Sequence, residues 1–92
     1  MYVIVCYDIV CDRRRAKLFR RMKDFLPRVQ KSVFEGELPE SRFPPLARMI
    51  REQMSQNEDT VRIYQVCKRC VPAVQVLGVG PLVEDEWEDL VI

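Results

Sequence analysis

The sequence predicts one small α+β domain in which two helices pack on a single face of an antiparallel sheet. Its 92 residues can bury one hydrophobic core but not two, and a composition of 48% apolar and 32% charged residues is that of a folded protein. The spacing of apolar residues along the chain predicts a strand, a helix, an extended segment, a second helix and two further strands, in that order. This order is typical of the ferredoxin-like βαββαβ sandwich, here with an additional C-terminal strand.

The first third of the chain is predicted to form a buried strand and a basic helix. Residues 2–9 are almost continuously apolar, which indicates a central strand covered on both faces, with Asp8 at its C-terminal end. Asp12 is expected to cap a helix over about 13–25, and Pro27 stops that helix. The apolar stripe of this helix consists of Ala16, Leu18 or Phe19, Met22, Phe25 and Leu26.

The middle of the chain is predicted to reverse direction and then form a second helix. Residues 28–38 are extended by composition, and Gly36 together with the Lys31-Ser32 pair indicates a bulge or a tight reversal. A helix is predicted over about 44–56, because the two prolines at its start are tolerated in a first helical turn. Its apolar face consists of Leu46, Met49, Ile50 and Met54.

The last part of the chain is predicted to add two strands and a tail. Residues 60–67 and 74–77 have strand composition and are separated by a turn. We therefore divide the chain into a ferredoxin-like domain over 1–80 and an acidic tail over 81–92, which holds five acidic residues and no basic one. Helices on one face leave the other face of the sheet bare, so a homodimer is expected to cover it.

Charge and missing residue types restrict the function. Residues 1–34 carry nine Lys and Arg against three Asp, whereas 35–92 carry six against eleven acidic residues, which favours a polyanion-facing surface in the N-terminal part. The absence of histidine, of a P-loop and of a dinucleotide-binding motif excludes His-based catalysis and the matching nucleotide-binding classes. The first residues form neither a signal peptide nor a membrane span, so a cytoplasmic protein without membrane contact is expected.

Asp8 is the leading candidate for chemistry. A carboxylate at the end of a central strand lies where the sheet opens to solvent, and its oxygen atoms suit magnesium or manganese. The alternative is a strand-end cap, because aspartate is common where strands meet turns. One aspartate makes a poor metal site by itself, and a nearby twofold axis would supply a second.

The predicted first helix carries a basic run that has two interpretations. Several of these residues must share a helix face, which would let them contact phosphate groups. The alternative is an ordinary solvated helix surface. The run consists of Arg13, Arg14, Arg15, Lys17, Arg20 and Arg21.

Cys67 and Cys70 form a single CxxC motif. Two thiolates fill only half of a tetrahedral zinc site, and Cys6 and Cys11 lack the spacing for a matching half. We therefore predict no zinc and a structural or incidental role for this pair.

Four segments together resemble the Cas2 family of CRISPR-associated proteins. They are VIVCYDI at the start, RVQKSVFEGEL in the middle, then VRIYQVCKRC and VQVLG, and the resemblance spans about residues 1–80. Lys31 departs from it, because the family often has an aromatic residue there. The middle motif carries most of the specificity, through Gln30, Ser32, Phe34 and Glu35.

The resemblance implies a ferredoxin-like homodimer that serves spacer acquisition, bridges dimers of the partner integrase Cas1 and grips duplex DNA. It also implies a metal-dependent endonuclease acting on DNA or single-stranded RNA, with Asp8 as the ligand of magnesium or manganese. The tail is expected to add a strand, near 81–83, to the sheet of the other protomer. The family's other functional positions correspond to Tyr7, Arg15, Arg28 and Phe34.

Three functions therefore remain open. They are a magnesium-dependent phosphodiesterase, a non-catalytic scaffold that positions DNA for the integrase, and a toxin-like RNA-binding dimer of the same fold. The phosphodiesterase and the scaffold both need the basic helix, and they differ in that only the phosphodiesterase requires Asp8. The fold itself does not decide between them.

Overall fold

In a computed structural model that describes residues 1–79, a sheet of four antiparallel strands carries two helices on one face. The elements are β1 (Tyr2–Asp8), α1 (Asp12–Met22), β2 (Arg28–Gln30), β3 (Val33–Glu37), α2 (Phe43–Gln53) and β4 (Thr60–Val66). The strands lie side by side in the order β2-β3-β1-β4. The predicted ferredoxin-like βαββαβ fold is therefore confirmed.

β1 is a central strand, because it pairs with β3 on one side and with β4 on the other. Its side chains alternate between the two faces, so that Val3, Val5 and Tyr7 point towards the helices and are buried. The opposite face, called here the open sheet face, is exposed or half-buried, so one chain covers β1 on one face only. Register places on it Tyr2, Ile4, Cys6, Asp8, Val33, Glu35, Glu37, Arg62 and Tyr64.

α1 starts differently from the prediction. Cys11 has the extended backbone of an N-cap and Asp12 is already helical, so the predicted cap at Asp12 is wrong. The Asp12 carboxylate instead pairs with Arg15, one turn along the helix. Ala16, predicted to belong to the apolar stripe, is exposed, because the buried side of the helix is centred on Leu18.

α2 begins at the proline pair, as predicted. A 3-10 turn at Glu40–Arg42 leads into the helix, and Pro44 and Pro45 occupy its first turn, where their missing N–H groups break no intrahelical bond. The helix ends at Gln53 rather than near 56, because Met54 has extended backbone. Its buried residues are Leu46, Met49 and Ile50.

β2 and β3 form the reversal predicted at the Lys31-Ser32 pair. The two strands are antiparallel, and their register shifts between Arg28 and Gln30.

The predicted strand at 74–77 is not formed in the described part of the chain. These residues follow a 3-10 turn at Val71–Ala73, are exposed, and pair with no strand within 1–79. A strand needs a neighbour for its backbone hydrogen bonds, and β4 already ends at Val66. Residues 80–92 lie outside the described residues, and with them the predicted acidic tail and its strand.

The helices are short. Within residues 1–79, none has the length and apolar character that crossing a bilayer requires.

The hydrophobic core lies between the sheet and the two helices. Phe34, with none of its surface exposed, is among its largest fully buried side chains. Its ring stacks on Tyr7 with 6.2 Å between ring centroids, and it is tilted against Phe19 at 5.9 Å. The remaining buried core residues are Val3, Val5, Ile9, Leu18, Met22, Leu26, Leu38, Leu46, Met49 and Ile50.

Phe34→Ala is expected to lower the free energy of unfolding by about 3–5 kcal/mol, because it removes a fully buried ring and leaves a cavity. Urea denaturation followed by circular dichroism measures the change. Arg48→Ala, on the exposed side of α2, is the control and should change stability by less than about 0.5 kcal/mol. A Phe34→Ala protein as stable as this control would contradict the core role of the ring.

Candidate nucleic-acid and metal site

A cleft of about 440 Å³ opens at the C-terminal end of β1. It combines one carboxylate with three cationic side chains, and so it brings together four of the predicted site residues: Tyr7, Asp8, Arg15 and Arg28. Its complete lining is Tyr7, Asp8, Ile9, Arg15, Arg28, Lys31 and Ser32. Cations beside a free carboxylate are a combination that binds a phosphate group together with a hard metal ion.

Asp8 is exposed at the last position of β1. Its carboxylate forms no hydrogen bond or ion pair with any residue in 1–79, so its oxygen atoms are free to accept a ligand. Within the same residues, no group of three or more metal-ligating side chains is present. Asp8 therefore fits a hard cation as one ligand, and completing the coordination would take oxygen atoms from water, phosphate or a second copy of the chain.

The two arginines of the cleft are held in place by different means. Arg15 Nε donates to the carbonyl oxygen of Ile9 at 3.3 Å, and both of its terminal nitrogens donate to one oxygen of Asp12 at 2.7 Å. Arg28 Nε donates to the carbonyl oxygen of Gln30 at 3.3 Å. The Arg28 guanidinium also lies 4.5 Å from the centre of the Phe19 ring, a cation–π distance.

Tyr7 forms the inner wall of the cleft. Its hydroxyl group donates to the carbonyl oxygen of Lys31 at 3.3 Å, and its backbone N–H donates to the carbonyl oxygen of Ser32 at 3.1 Å. Burial raises the pKa of the phenol, against the opposing effect of Arg28 and Arg15 nearby. Only 6% of Tyr7 is exposed, so it supports the cleft and offers little surface to a nucleic acid.

Asp59, which the sequence did not single out, is the one buried charged residue of the described chain. Its Oδ1 accepts the backbone N–H of Val10 at 2.9 Å and its Oδ2 that of Ser55 at 2.7 Å. Arg14 donates to the same carboxylate through Nε at 2.9 Å and through Nη2 at 3.2 Å, and Nη2 also reaches Glu58 at 2.9 Å. The hydrogen bonds from Arg14 are the main reason why the pKa of Asp59 lies well below its ordinary value, and the Ser55 and Val10 N–H groups add to this effect.

The surroundings of Arg14 and Phe34 do not fit their predicted role as nucleic-acid contacts. Arg14 is bonded to Asp59 and Glu58, so it stabilises the fold and is not a free phosphate ligand. Phe34 lies wholly inside the core, where its ring packs on Tyr7, so it cannot stack on a base. A clue to the Arg14 pairing was available in the adjacent acidic pair Glu58-Asp59, but only the fold shows that this pair meets α1.

The helix period divides the rest of the basic run. Arg13, Lys17 and Arg20 recur at i, i+4 and i+7, which places them on one stripe of α1, opposite the buried residue Met22. All three are exposed, and none forms an ion pair with an acidic side chain of residues 1–79. This outer stripe is a second cationic surface, distinct from the cleft.

The fold and the cleft define a class: a small ferredoxin-like protein that presents one free carboxylate among cations at the end of its central strand. Comparison with known proteins gives the family. The family model for CRISPR associated protein Cas2 matches residues 1–74, and the chain belongs to this family.

Relatives and solved structures agree with this assignment. The chain is 45% identical over 80 residues to a Thermus thermophilus protein named CRISPR-associated endonuclease Cas2 2, covering 87% of this chain and 84% of the relative. A crystal structure of a hypothetical protein from Thermus thermophilus is similar with a TM-score of 0.78 and 43% identity, covering 90% of this chain and 96% of that one. A chain of a partial Cas6-RT-Cas1–Cas2 complex is similar with a TM-score of 0.69 and 30% identity, covering 83% of each chain.

Asp59→Asn is expected to lower the melting temperature near neutral pH, because it removes the charge that Arg14 pairs with inside the protein. Since the folded-state pKa of Asp59 is lowered, its contribution is complete above the unfolded pKa of about 3.9 and is lost as the pH falls through the folded value. Wild-type melting temperatures should therefore fall below about pH 3.9 more steeply than those of Asp59→Asn.

Glu58→Gln is the control, because Glu58 is exposed and bonds to the same guanidinium. Thermal melting from neutral to acidic pH should show a smaller loss for Glu58→Gln. Equal losses for the two variants would contradict the central role of Asp59.

Proposed function

We propose that this Cas2-family protein is a nucleic-acid-binding homodimer of CRISPR adaptation, which works with the Cas1 integrase in spacer acquisition and cleaves phosphodiester bonds with a divalent cation held by Asp8. The observation that carries the proposal is the free Asp8 carboxylate beside Arg15, Arg28 and Lys31 in one cleft. The endonuclease name of the Thermus thermophilus relative and the Cas1–Cas2 complex among the similar structures support it. Such a protein works where DNA is, in the cytoplasm.

The open sheet face supports the proposed homodimer. Ile4 and Tyr64 are cross-strand partners on it, and Tyr64 is 46% exposed, so apolar surface faces outwards at the middle of the sheet. Packing against the same face of a second copy would bury this surface and would place two copies of the β1 end near one axis. The two Asp8 carboxylates would then lie close to each other.

The two Asp8 carboxylates would repel each other, so holding a divalent cation there would remove this repulsion and would couple metal binding to substrate binding. Magnesium, or manganese in its place, supplies charge stabilisation and water activation for phosphodiester hydrolysis when bound. Arg15, Arg28 and Lys31 bind the phosphate oxygens from the chain's own side of the cleft. Tyr7 closes the inner end of the cleft and excludes water there.

A non-catalytic scaffold is the second candidate, and the outer stripe of α1 favours it. Arg13, Lys17 and Arg20 lie away from the cleft, so they serve DNA retention rather than cleavage. A scaffold of this kind uses the outer stripe and tolerates the loss of Asp8, which makes the two candidates separable.

The protein is expected to sediment as a dimer at micromolar concentration. Tyr64→Glu places a charge on the open sheet face and should shift the equilibrium towards monomer. Gln65→Glu adds the same charge to the next residue of β4, which points to the other face, and should leave the dimer intact. A wild-type protein that sediments as a monomer would contradict the proposed assembly.

Binding of duplex DNA is expected to weaken steeply with salt, with a slope of log affinity against log salt of about −0.9 for each phosphate neutralised. Lys17→Glu combined with Arg20→Glu should weaken binding and reduce the magnitude of the slope by about 0.9 for each phosphate that is no longer neutralised. Arg48→Glu with Arg51→Glu reverses the same charge at the same spacing on α2 and is the matched control. Fluorescence anisotropy titrations that give both pairs the same affinity would show that the outer stripe is only a solvated surface.

Asp8→Asn is expected to reduce magnesium-dependent cleavage by at least about 100-fold, because the amide keeps the shape of the side chain and loses the charge that binds the cation. Labelled duplex DNA and single-stranded RNA are both used as substrates, with DNA affinity and sedimentation measured in parallel. Asp24→Asn, which neutralises an exposed carboxylate after α1, is the control and should cleave like wild type. No wild-type cleavage above a mock preparation, or equal cleavage by Asp8→Asn, would leave the scaffold function.

A further inference from the structure

The turn that follows β4 brings two exposed thiols together. The Sγ atoms of Cys67 and Cys70 lie 3.3 Å apart, and the backbone N–H of Cys70 donates to the carbonyl oxygen of Cys67 at 2.9 Å. This hydrogen-bonded turn holds the two side chains on one side of the chain. Cys6 and Cys11, by contrast, are partly buried.

We propose that Cys67 and Cys70 form a thiol–disulfide exchange site, at which a low-molecular-weight disulfide such as oxidised glutathione converts the pair into an internal disulfide. The geometry supports this, because closing the bond requires the two sulfur atoms to approach by little more than one ångström, to about 2.05 Å. The site is independent of the cleft and of the proposed cleavage reaction.

The two thiols have different roles in this exchange. When Cys67 ionises, the Cys70 thiol donates to its sulfur, and this hydrogen bond is the largest reason why the pKa of Cys67 is lowered; the Cys70 and Arg69 backbone N–H groups add to it. The same interaction raises the pKa of Cys70. The backbone N–H groups of the turn favour the Cys67 thiolate, so in this proposal Cys67 is the attacking thiol and Cys70 the resolving one.

The reaction balances as two successive exchanges. The Cys67 thiolate attacks one sulfur of the oxidised disulfide, which breaks that S–S bond and releases one thiolate. The Cys70 thiolate, after losing its proton to solvent, then attacks the Cys67 sulfur of the mixed disulfide and releases the second thiolate. The protein loses two electrons and two protons, and the small disulfide is reduced to two thiols.

The site lies where the edge strand β4 passes into the segment from Val71 onwards. An internal disulfide closes the four-residue turn covalently and so fixes the direction in which the chain leaves the sheet. Residues Lys68 and Arg69 lie inside the closed loop and are exposed, so trypsin can report its state.

The test incubates the full chain with defined ratios of reduced to oxidised glutathione, traps free thiols by alkylation and measures intact mass. The expected result is loss of the mass of two hydrogen atoms and protection of two thiols, with no glutathione attached. After trypsin cleavage at Lys68 or Arg69, the two flanking peptides should stay linked until a reductant is added. Cys6→Ser combined with Cys11→Ser is the control and should oxidise in the same way.

Single variants assign the roles. Cys70→Ser keeps the attacking thiol and should accumulate a mixed disulfide on Cys67 several-fold faster than Cys67→Ser accumulates one on Cys70. A wild-type protein that stays fully reduced, or that ends as a stable mixed disulfide without ring closure, overturns the proposal. One zinc ion per purified chain, held by this pair and blocking its oxidation, overturns it as well.

Discussion

The hydrogen bonds and ion pair of the buried Asp59 carboxylate hold together the chain segments around the cleft at the end of β1. Asp59 lies just before β4, yet it binds the backbone after β1 through Val10, the end of α2 through Ser55 and the first turn of α1 through Arg14. Burying a charge is costly unless it is paired and hydrogen-bonded, and here four hydrogen bonds satisfy it. Three separate elements are thereby held beside the cleft, because Val10 and Arg14 directly follow or precede the lining residues Ile9 and Arg15 in the chain.

The position of the cleft depends on Asp59 and on the hydrophobic core beside it. Asp8 ends a strand that is paired on both sides, so its backbone has a defined position at the sheet end. Tyr7, one residue earlier, points the opposite way into the core and packs on Phe34. Because side chains alternate between the two faces of β1, Asp8 points to solvent while the neighbouring Tyr7 ring points into the core.

The basic run of α1 shows how one sequence feature can serve three purposes. Arg14 points to Asp59 and stabilises the fold, Arg15 turns towards the cleft, and Arg13 belongs to the outer stripe that faces solvent. A helix turns by about 100° per residue, so three consecutive arginines reach three different environments. Net charge alone could not separate these roles, because it counts the residues without their directions.

Local patterns in the sequence determined the fold class, the places of the two helices between extended segments and the place of Asp8 at a strand end, since hydrophobic period and turn chemistry act over a few neighbouring residues. Tertiary structure alone decided that Arg14 pairs with Asp59, 45 residues away, and that Phe34 is core and not a nucleic-acid contact. It also decided that 74–77 forms no strand within the described residues 1–79. These outcomes depend on which distant groups meet, and a strand or an ion pair exists only when its partner is brought beside it.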